Sequence, residues 1–396
     1  MKRRLLFFFS FFILLASCQK EPQHTPVEPT PQPQEETFTY SVDSLSSMSL
    51  LEKVSQMVFV RGESLNATLT PEELKNYTSH PLRYVTNVIR ESQKEYPAGG
   101  VVLFAHNITG PFQLSDLCRQ IHSLKDFPLV CIDEEGGTVA RIARNSAFGI
   151  SNFSSCYDIG NYGDKVRVES AADNIGSYLY KYGIDVDFAP VADVFTNPEN
   201  TVIGKRAFSS DPVIAGDMAL TFYDALKKNG IQGCYKHFPG HGDTSTDSHY
   251  GYAETLKTWK EMLDCEMIPF KKGIDGGVSM IMTAHISAPQ VTGESTPATL
   301  SKAILTDKLR GELGFNGIII TDAMEMGAIS NMYGVPEACV LSILAGSDIV
   351  LMPLDYRKAV DAIVAAVKTG RIPEERIDQS VRKILKLKEK AIARYL

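Results

Sequence analysis

Eight short runs in this chain are apolar on both faces, and most of them hand over directly to an ionisable residue. They occupy residues 56–60, 99–104, 129–133, 185–191, 231–235, 279–284, 317–321 and 348–352. Runs of this length, rich in β-branched residues and without alternation, read as parallel strands covered on both sides. Stretches with helical spacing of apolar residues fall between or after them, at 114–124, 168–182, 259–274, 301–313, 356–367 and 374–394. Asp211-Pro212 opens one more, towards residue 226, with a cap followed by proline at the first helical position. This alternation predicts an α/β chain folded as a (β/α)8 TIM barrel in a single catalytic domain. An open, doubly wound sheet is the competing architecture. No G-x-G-x-x-G or G-x-x-x-x-G-K-[ST] pattern follows any of the runs, so it lacks its usual nucleotide site.

A barrel also predicts that chemistry gathers where the strands end. Asp133 ends the third run, Asp193 lies just past the fourth, and Lys236 and His237 end the fifth. His285 ends the sixth and Asp322 the seventh. Five successive strand ends are hard to read as solvated turns.

Outside the barrel the chain reads differently. Lys2, Arg3 and Arg4 precede an apolar run, 5–16, that is short for a membrane span. Leu15-Ala16-Ser17-Cys18 resembles the bacterial lipoprotein signal, which implies acylation of Cys18 and removal of residues 1–17. Residues 18–42 then read as a lipidated tether. Pro22, Pro26, Pro29, Pro31 and Pro33 sit there among Gln, Glu and Thr, too polar to bury a core. Gln19 after the cysteine resembles the signal for outer-membrane retention, so a lipid-anchored envelope protein is expected. The catalytic domain is assigned to 43–396. The formal charge of -7 argues against a nucleic-acid partner. Six cysteines remain besides Cys18; they show no C-x-x-C pairing and read mostly as small buried hydrophobes.

Residues 236–249, Lys-His-Phe-Pro-Gly-His-Gly-Asp-Thr-Ser-Thr-Asp-Ser-His, carry the densest chemistry. Asp247 and His249, two apart, point the same way in an extended loop; a carboxylate there fixes the tautomer of the imidazole and raises its basicity. The other reading is two surface polar residues on a Ser/Thr-rich loop. His237 reads as a hydrogen-bond donor or, with His241 and His249, as a zinc ligand. No H-E-x-x-H helix or cysteine cluster accompanies them, and neither a metal nor a cofactor is expected. Asp322 leaves a strongly apolar strand, either as a catalytic carboxylate or as the cap of the helix that follows.

Four segments, in order, resemble the β-N-acetylglucosaminidase branch of family 3 glycoside hydrolases. They are Asp133-Glu134-Glu135-Gly136-Gly137 with Val139 and Arg141; residues 202–208 with Ser210-Asp211-Pro212; the Lys236-to-His249 stretch; and Thr321-Asp322-Ala323-Met324-Glu325-Met326. The resemblance covers about residues 45 to 390. It implies a retaining exo-β-N-acetylglucosaminidase with Asp322 as nucleophile, His249 as acid/base and Asp247 as its partner. Asp133, Arg141, Arg206, Lys236 and His237 would hold the sugar. A His/Asp dyad would then replace the second carboxylate of most retaining glycosidases. The implied substrate is a GlcNAc-containing glycan or muropeptide, met outside the cytoplasm because of the lipid anchor. Two other readings of the scaffold are a phosphorylase, with phosphate replacing water, and a non-catalytic glycan-binding lipoprotein. A monomer is the expected state.

Overall fold

The two-sided apolar runs close into a ring of parallel strands in a computed structural model of the chain, which describes residues 42–244 and 253–395. The strands are β1 (Val58–Arg61), β2 (Gly100–Leu103), β3 (Leu129–Ile132), β4 (Val186–Asp187), β5 (Gln232–Gly233) and β6 (Tyr235–Phe238). They continue with β7 (Ala253–Glu254), β8 (Met280–Thr283), β9 (Ile286–Ser287), β10 (Ile318–Ile320) and β11 (Val350–Leu351). One sheet runs β11-β1-β2-β3-β4-β5 and another β10-β8-β6. β5 and β6 are one stave interrupted at Cys234, and a parallel bridge between Ile320 and Ile349 joins β10 to the start of β11. The ring therefore has eight staves, as predicted. β7 pairs with β9 above it as a separate parallel ribbon.

Residues of β1, β2, β3, β6, β8 and β10 are buried along their whole length, because side chains alternate between the barrel interior and the surrounding helices. Helices over Pro111–His122, Lys165–Tyr182, Pro212–Lys228, Tyr356–Lys368 and Glu374–Ile392 agree with the periodicity to within a few residues. Asp211 caps Pro212–Lys228 as expected, accepting from the N–H groups of Val213 and Ile214.

The differences have local causes. The first strand begins at Val58 rather than residue 56, because a Ser49/Glu52 capping box starts a helix, Leu50–Gln56, that takes Gln56. The fourth is two residues long. Pro190 has no N–H for a ladder, and beyond it only Val191 bridges to Lys236. The fifth runs on to Phe238, which places Lys236 and His237 inside the strand instead of at its end. The single helix predicted over 259–274 is two, Trp259–Leu263 and Met267–Asp275, with Pro269 in the first turn of the second. The helix over Ala303–Glu312 is wound as a π-helix. Several helices have no counterpart in the sequence reading, the two longest being Asn87–Glu95 and Val335–Ala345. Val335–Ala345 is apolar nearly all round and so shows no stripe, and Asn87–Glu95 is largely polar and buries only Ile89 and Gln93.

Candidate active site

A cavity of about 820 Å³ opens at the C-terminal ends of the strands, where βα loops meet. Asp133, Arg141, Arg206, Lys236, His237 and Asp322 all line it, so the structure brings together every described residue of the predicted site. Asp247, His249 and Cys18 lie outside the described residues.

β3 ends at Ile132, and the next three residues are acids with three different fates. Asp133 faces the cavity, where its Oδ1 accepts from Lys236 Nζ at 2.9 Å and its Oδ2 lies 3.6 Å from Arg141 Nη2. Glu134 turns inward. Its carboxylate accepts from the backbone N–H groups of Arg141, Ile142 and Ala143 at 2.5, 2.9 and 2.8 Å, and from the Tyr178 hydroxyl at 2.8 Å. Burial pushes this carboxyl up, and the four hydrogen bonds offset only part of that. Glu134 thereby closes the loop that returns Arg141 over Asp133. Between them Gly136 and Gly137 take φ of 82° and 59°, and a Cβ on Gly136 would strike the Phe153 ring.

Glu135 anchors the cationic wall. It is 1% exposed and takes a two-pronged contact from Arg206, Nε to Oε2 at 2.9 Å and Nη2 to Oε1 at 2.7 Å. Lys236 Nζ lies 2.5 Å from the same Oε1. Burial alone would raise Glu135; Arg206 and Lys236 overcome it and hold the carboxyl well below the usual carboxylate range. Burial would likewise lower Lys236, but Asp133 and Glu135 keep its pKa above that of a free lysine. Glu135, Arg206 and Lys236 stay charged because they partner one another; a buried ion without partners would neutralise instead.

Asp193, just past β4, sets the imidazoles. Its Oδ2 lies 2.7 Å from His237 Nδ1, and its Oδ1 accepts from the backbone N–H of His241 at 2.7 Å. Burial raises Asp193, and His237 outweighs this to leave it lowered. An ionised Asp193 requires the proton on Nδ1, so the neutral imidazole offers Nε2 as an acceptor, 3.5 Å from Arg206 Nη2. His237 thus donates beneath the cavity rather than into it. His241 Nδ1 contacts the Thr244 hydroxyl at 2.8 Å, and burial lowers its basicity. Among the described residues no group of three or more His, Cys, Asp or Glu is placed to hold a metal ion. The six cysteines besides Cys18 are free thiols.

Asp322 follows β10. Its backbone N–H donates to Thr283 O at 3.0 Å, and its Oδ1 accepts from Ala323 N at 2.7 Å. The next helix, Gly327–Ser330, begins after Met326, so Asp322 is not its cap and the capping alternative is set aside. His285, buried at the end of the adjacent stave, holds Ala323 O through Nε2 at 2.9 Å. The pair fixes the backbone that carries Asp322.

Sequence reasoning passed over four residues that the structure brings into play. Glu135 stood in a quoted motif without a role, and Asp193 was placed at a strand end without a partner. Arg61 ends β1 and pairs with Glu325, its guanidinium 3.8 Å from the Tyr77 ring centre and 4.8 Å from that of Phe104. Arg61 directly follows the first run, as Asp322 follows the seventh, so the strand-end rule applied to it as well.

The family model described as "Glycosyl hydrolase family 3 N terminal domain" matches residues 49–387. Beta-hexosaminidase A of Pseudoalteromonas piscicida is 35% identical over 332 residues, 76% of this chain and 55% of that protein. Beta-hexosaminidase of Nitrosomonas eutropha is 33% identical over 304 residues, 74% of this chain and 85% of that protein. A solved family 3 β-N-acetylglucosaminidase from Paenibacillus sp. str. FPU-7 superposes with a TM-score of 0.77 at 34% identity. That match covers 87% of this chain and 63% of the solved one, so the chain spans only part of the length of some of its relatives.

Proposed function

The chain belongs to the family of glycosyl hydrolase family 3 N-terminal domains, and from that premise we propose that it is a β-N-acetylhexosaminidase. It removes terminal, non-reducing β-linked GlcNAc with retention of configuration. The observation that carries the reading is one cavity with Asp322 on its wall and, among the other lining groups, the ion network of Asp133, Lys236, Glu135, Arg206 and His237. The names of the relatives support the same activity.

The work divides between rigid groups. Asp133 and the Lys236 ammonium offer acceptor and donor to adjacent sugar hydroxyls, with Arg141 and Arg206 behind them and His237 Nε2 as a further acceptor. Binding energy spent there aligns the anomeric carbon with Asp322. Asp322 attacks, and the C–O bond to the leaving group breaks as a glycosyl-Asp322 ester forms. His249, held by Asp247, gives its proton to the departing oxygen and takes one back from the water that opens the ester. A histidine, cationic as the acid and neutral as the base, avoids a second anion beside Asp322, which two nearby carboxylates would create. The substrates are peptidoglycan fragments or related glycans. Export and acylation at Cys18 would place the enzyme on the cell envelope.

The test is turnover of 4-nitrophenyl β-GlcNAc followed by NMR, together with GlcNAc release from muropeptides and chitobiose. β-GlcNAc should be the first-formed anomer. An α first product would overturn the retaining mechanism, and GlcNAc-1-phosphate formed in phosphate buffer would replace hydrolysis with phosphorolysis.

A further inference from the structure

The chain between Thr244 and Ala253 carries Asp247 and His249, and its two ends are built into the barrel separately. At the first end the turn is packed hard on the β4 loop: a Cβ on Gly242 would come within 1.9 Å of Val194 O. Asn197 Nδ2 donates there to the carbonyls of Asp243 and Thr244, at 3.3 and 3.4 Å. At the second end β7 lies along β9, Ala253 beside Ile286 and Glu254 beside Ser287, and Thr255 N donates to Ser287 O at 3.0 Å.

One side chain joins the two ends. Lys257 Nζ lies 3.1 Å from Asp243 Oδ1 and 2.5 Å from Glu266 Oε1. Glu266 precedes the helix Met267–Asp275 and is 2% exposed, and its Oε2 finds no partner among the described residues. A carboxylate buried in this way needs a cation, and Lys257 supplies it. Burial would lower the ammonium, but Glu266 and Asp243 keep its pKa above that of a free lysine. Glu266 also backs the turn itself: Gly240 has φ of 114°, and a Cβ there would fall 2.6 Å from the Glu266 Cγ. The same turn reaches the sugar wall, since the N–H of His241 holds Asp193 and Asp193 holds His237. An exposed ion pair would contribute little. This one is half-buried and anchored on a buried acid.

We propose that Lys257 is a positioning residue for the acid/base step: clasped between Asp243 and Glu266, it fixes the two ends of the segment that carries His249. The inference rests on the assignment of His249 as acid/base in the proposed function. Lys257 is not among the residues lining the cavity, so it acts through those ends and not on the substrate. An acid displaced by about 1 Å can cost about 100-fold in rate, which is what a clasp at its base prevents.

Two substrates that differ in their need for a proton test it: chitobiose and 2,4-dinitrophenyl β-GlcNAc. kcat/KM reports formation of the glycosyl-enzyme, and dinitrophenolate departs without protonation. Lys257→Met should lower kcat/KM for chitobiose by about tenfold or more and leave the dinitrophenyl value within about twofold. Asp243→Asn cuts the clasp at the first end and leaves Lys257 paired with Glu266, so it reports even if Lys257→Met fails to fold. It should show the same split. Equal losses on both substrates in Asp243→Asn, or no loss on either, overturn the positioning role, because a merely structural contact would not discriminate between leaving groups. His249→Ala separates this from the parent reading. A split in His249→Ala without one in Asp243→Asn overturns the clasp alone; equal losses in His249→Ala overturn the acid assignment and the clasp with it.

Discussion

The two ends of the barrel both bury charge, and they use it in opposite ways. At the C-terminal ends of the strands, Asp133, Glu135, Arg206 and Lys236 satisfy one another on the wall of a cavity. At the N-terminal end, Asp348 precedes β11 and is surrounded by Arg310, Arg376 and Lys383 with the Ser380 hydroxyl. No cavity lies against this second cluster among those described, and its arginines spend their remaining donors on the carbonyls of Phe315, Gly317, Gly346 and Ser347. Its effect is to tie the closing helix, Glu374–Ile392, to the last stave. Buried charge by itself therefore does not mark a site. Buried charge that borders open space does.

The sharpest way to break this contrast is Asp322→Ala, which should lower kcat by about 10⁴-fold or more with the thermal transition unmoved. Residual activity near wild type would remove Asp322 from the chemistry. Glu135→Gln comes next. It removes the counter-charge of two buried cations, so about 3–5 kcal/mol of stability should go in urea melts. A fall in kcat/KM should accompany it, because Lys236 and Arg206 lose their common anchor. Asp348→Asn should cost a similar 3–5 kcal/mol but leave kcat/KM within about twofold. A large kcat/KM loss in that variant would show that the lower cluster reaches the chemistry after all.

The mildest test uses pH. Glu135, Asp193 and Asp348 all have lowered carboxyls, so both ends contribute stability above the ordinary carboxylate range that is lost as pH falls through their folded values. Acid will not separate them. Base will, through Lys388, which is fully buried at the lower end against Gln56 and the Asp126 carbonyl. Burial pushes its pKa down to about 8, so between there and the ordinary lysine value the unfolded chain binds the proton and the folded one does not. Stability should rise with pH across that window, by up to about 2–3 kcal/mol. In Lys388→Met the rise should vanish, as read by denaturant melts at pH 7.5, 9 and 10; a rise that persists would trace to other groups.

Much of this protein is legible without coordinates. Strands buried on both faces must be apolar throughout, and a chain that alternates them with amphipathic helices has few closed forms. Hence the barrel, its eight staves and the strand-end positions of Asp133, Asp193 and Asp322 follow from local pattern alone. Val335–Ala345 escaped because a helix covered on nearly all sides shows no stripe, and the short β4 escaped because Pro190 stops the ladder within an otherwise strand-like run. What local pattern does not contain is pairing. Glu134 and Glu135 are identical neighbours, yet one clamps a loop and the other holds Arg206 and Lys236. Which does which depends on residues that the fold brings from 7 to more than 100 positions away. Asp133 ends the third run and Asp348 opens the eighth, and that order tells which end of the barrel each lies at but not what surrounds it. Only the closed barrel decides that one faces a cavity and the other a packed helix, since desolvation and partner geometry are properties of the surroundings rather than of the residue.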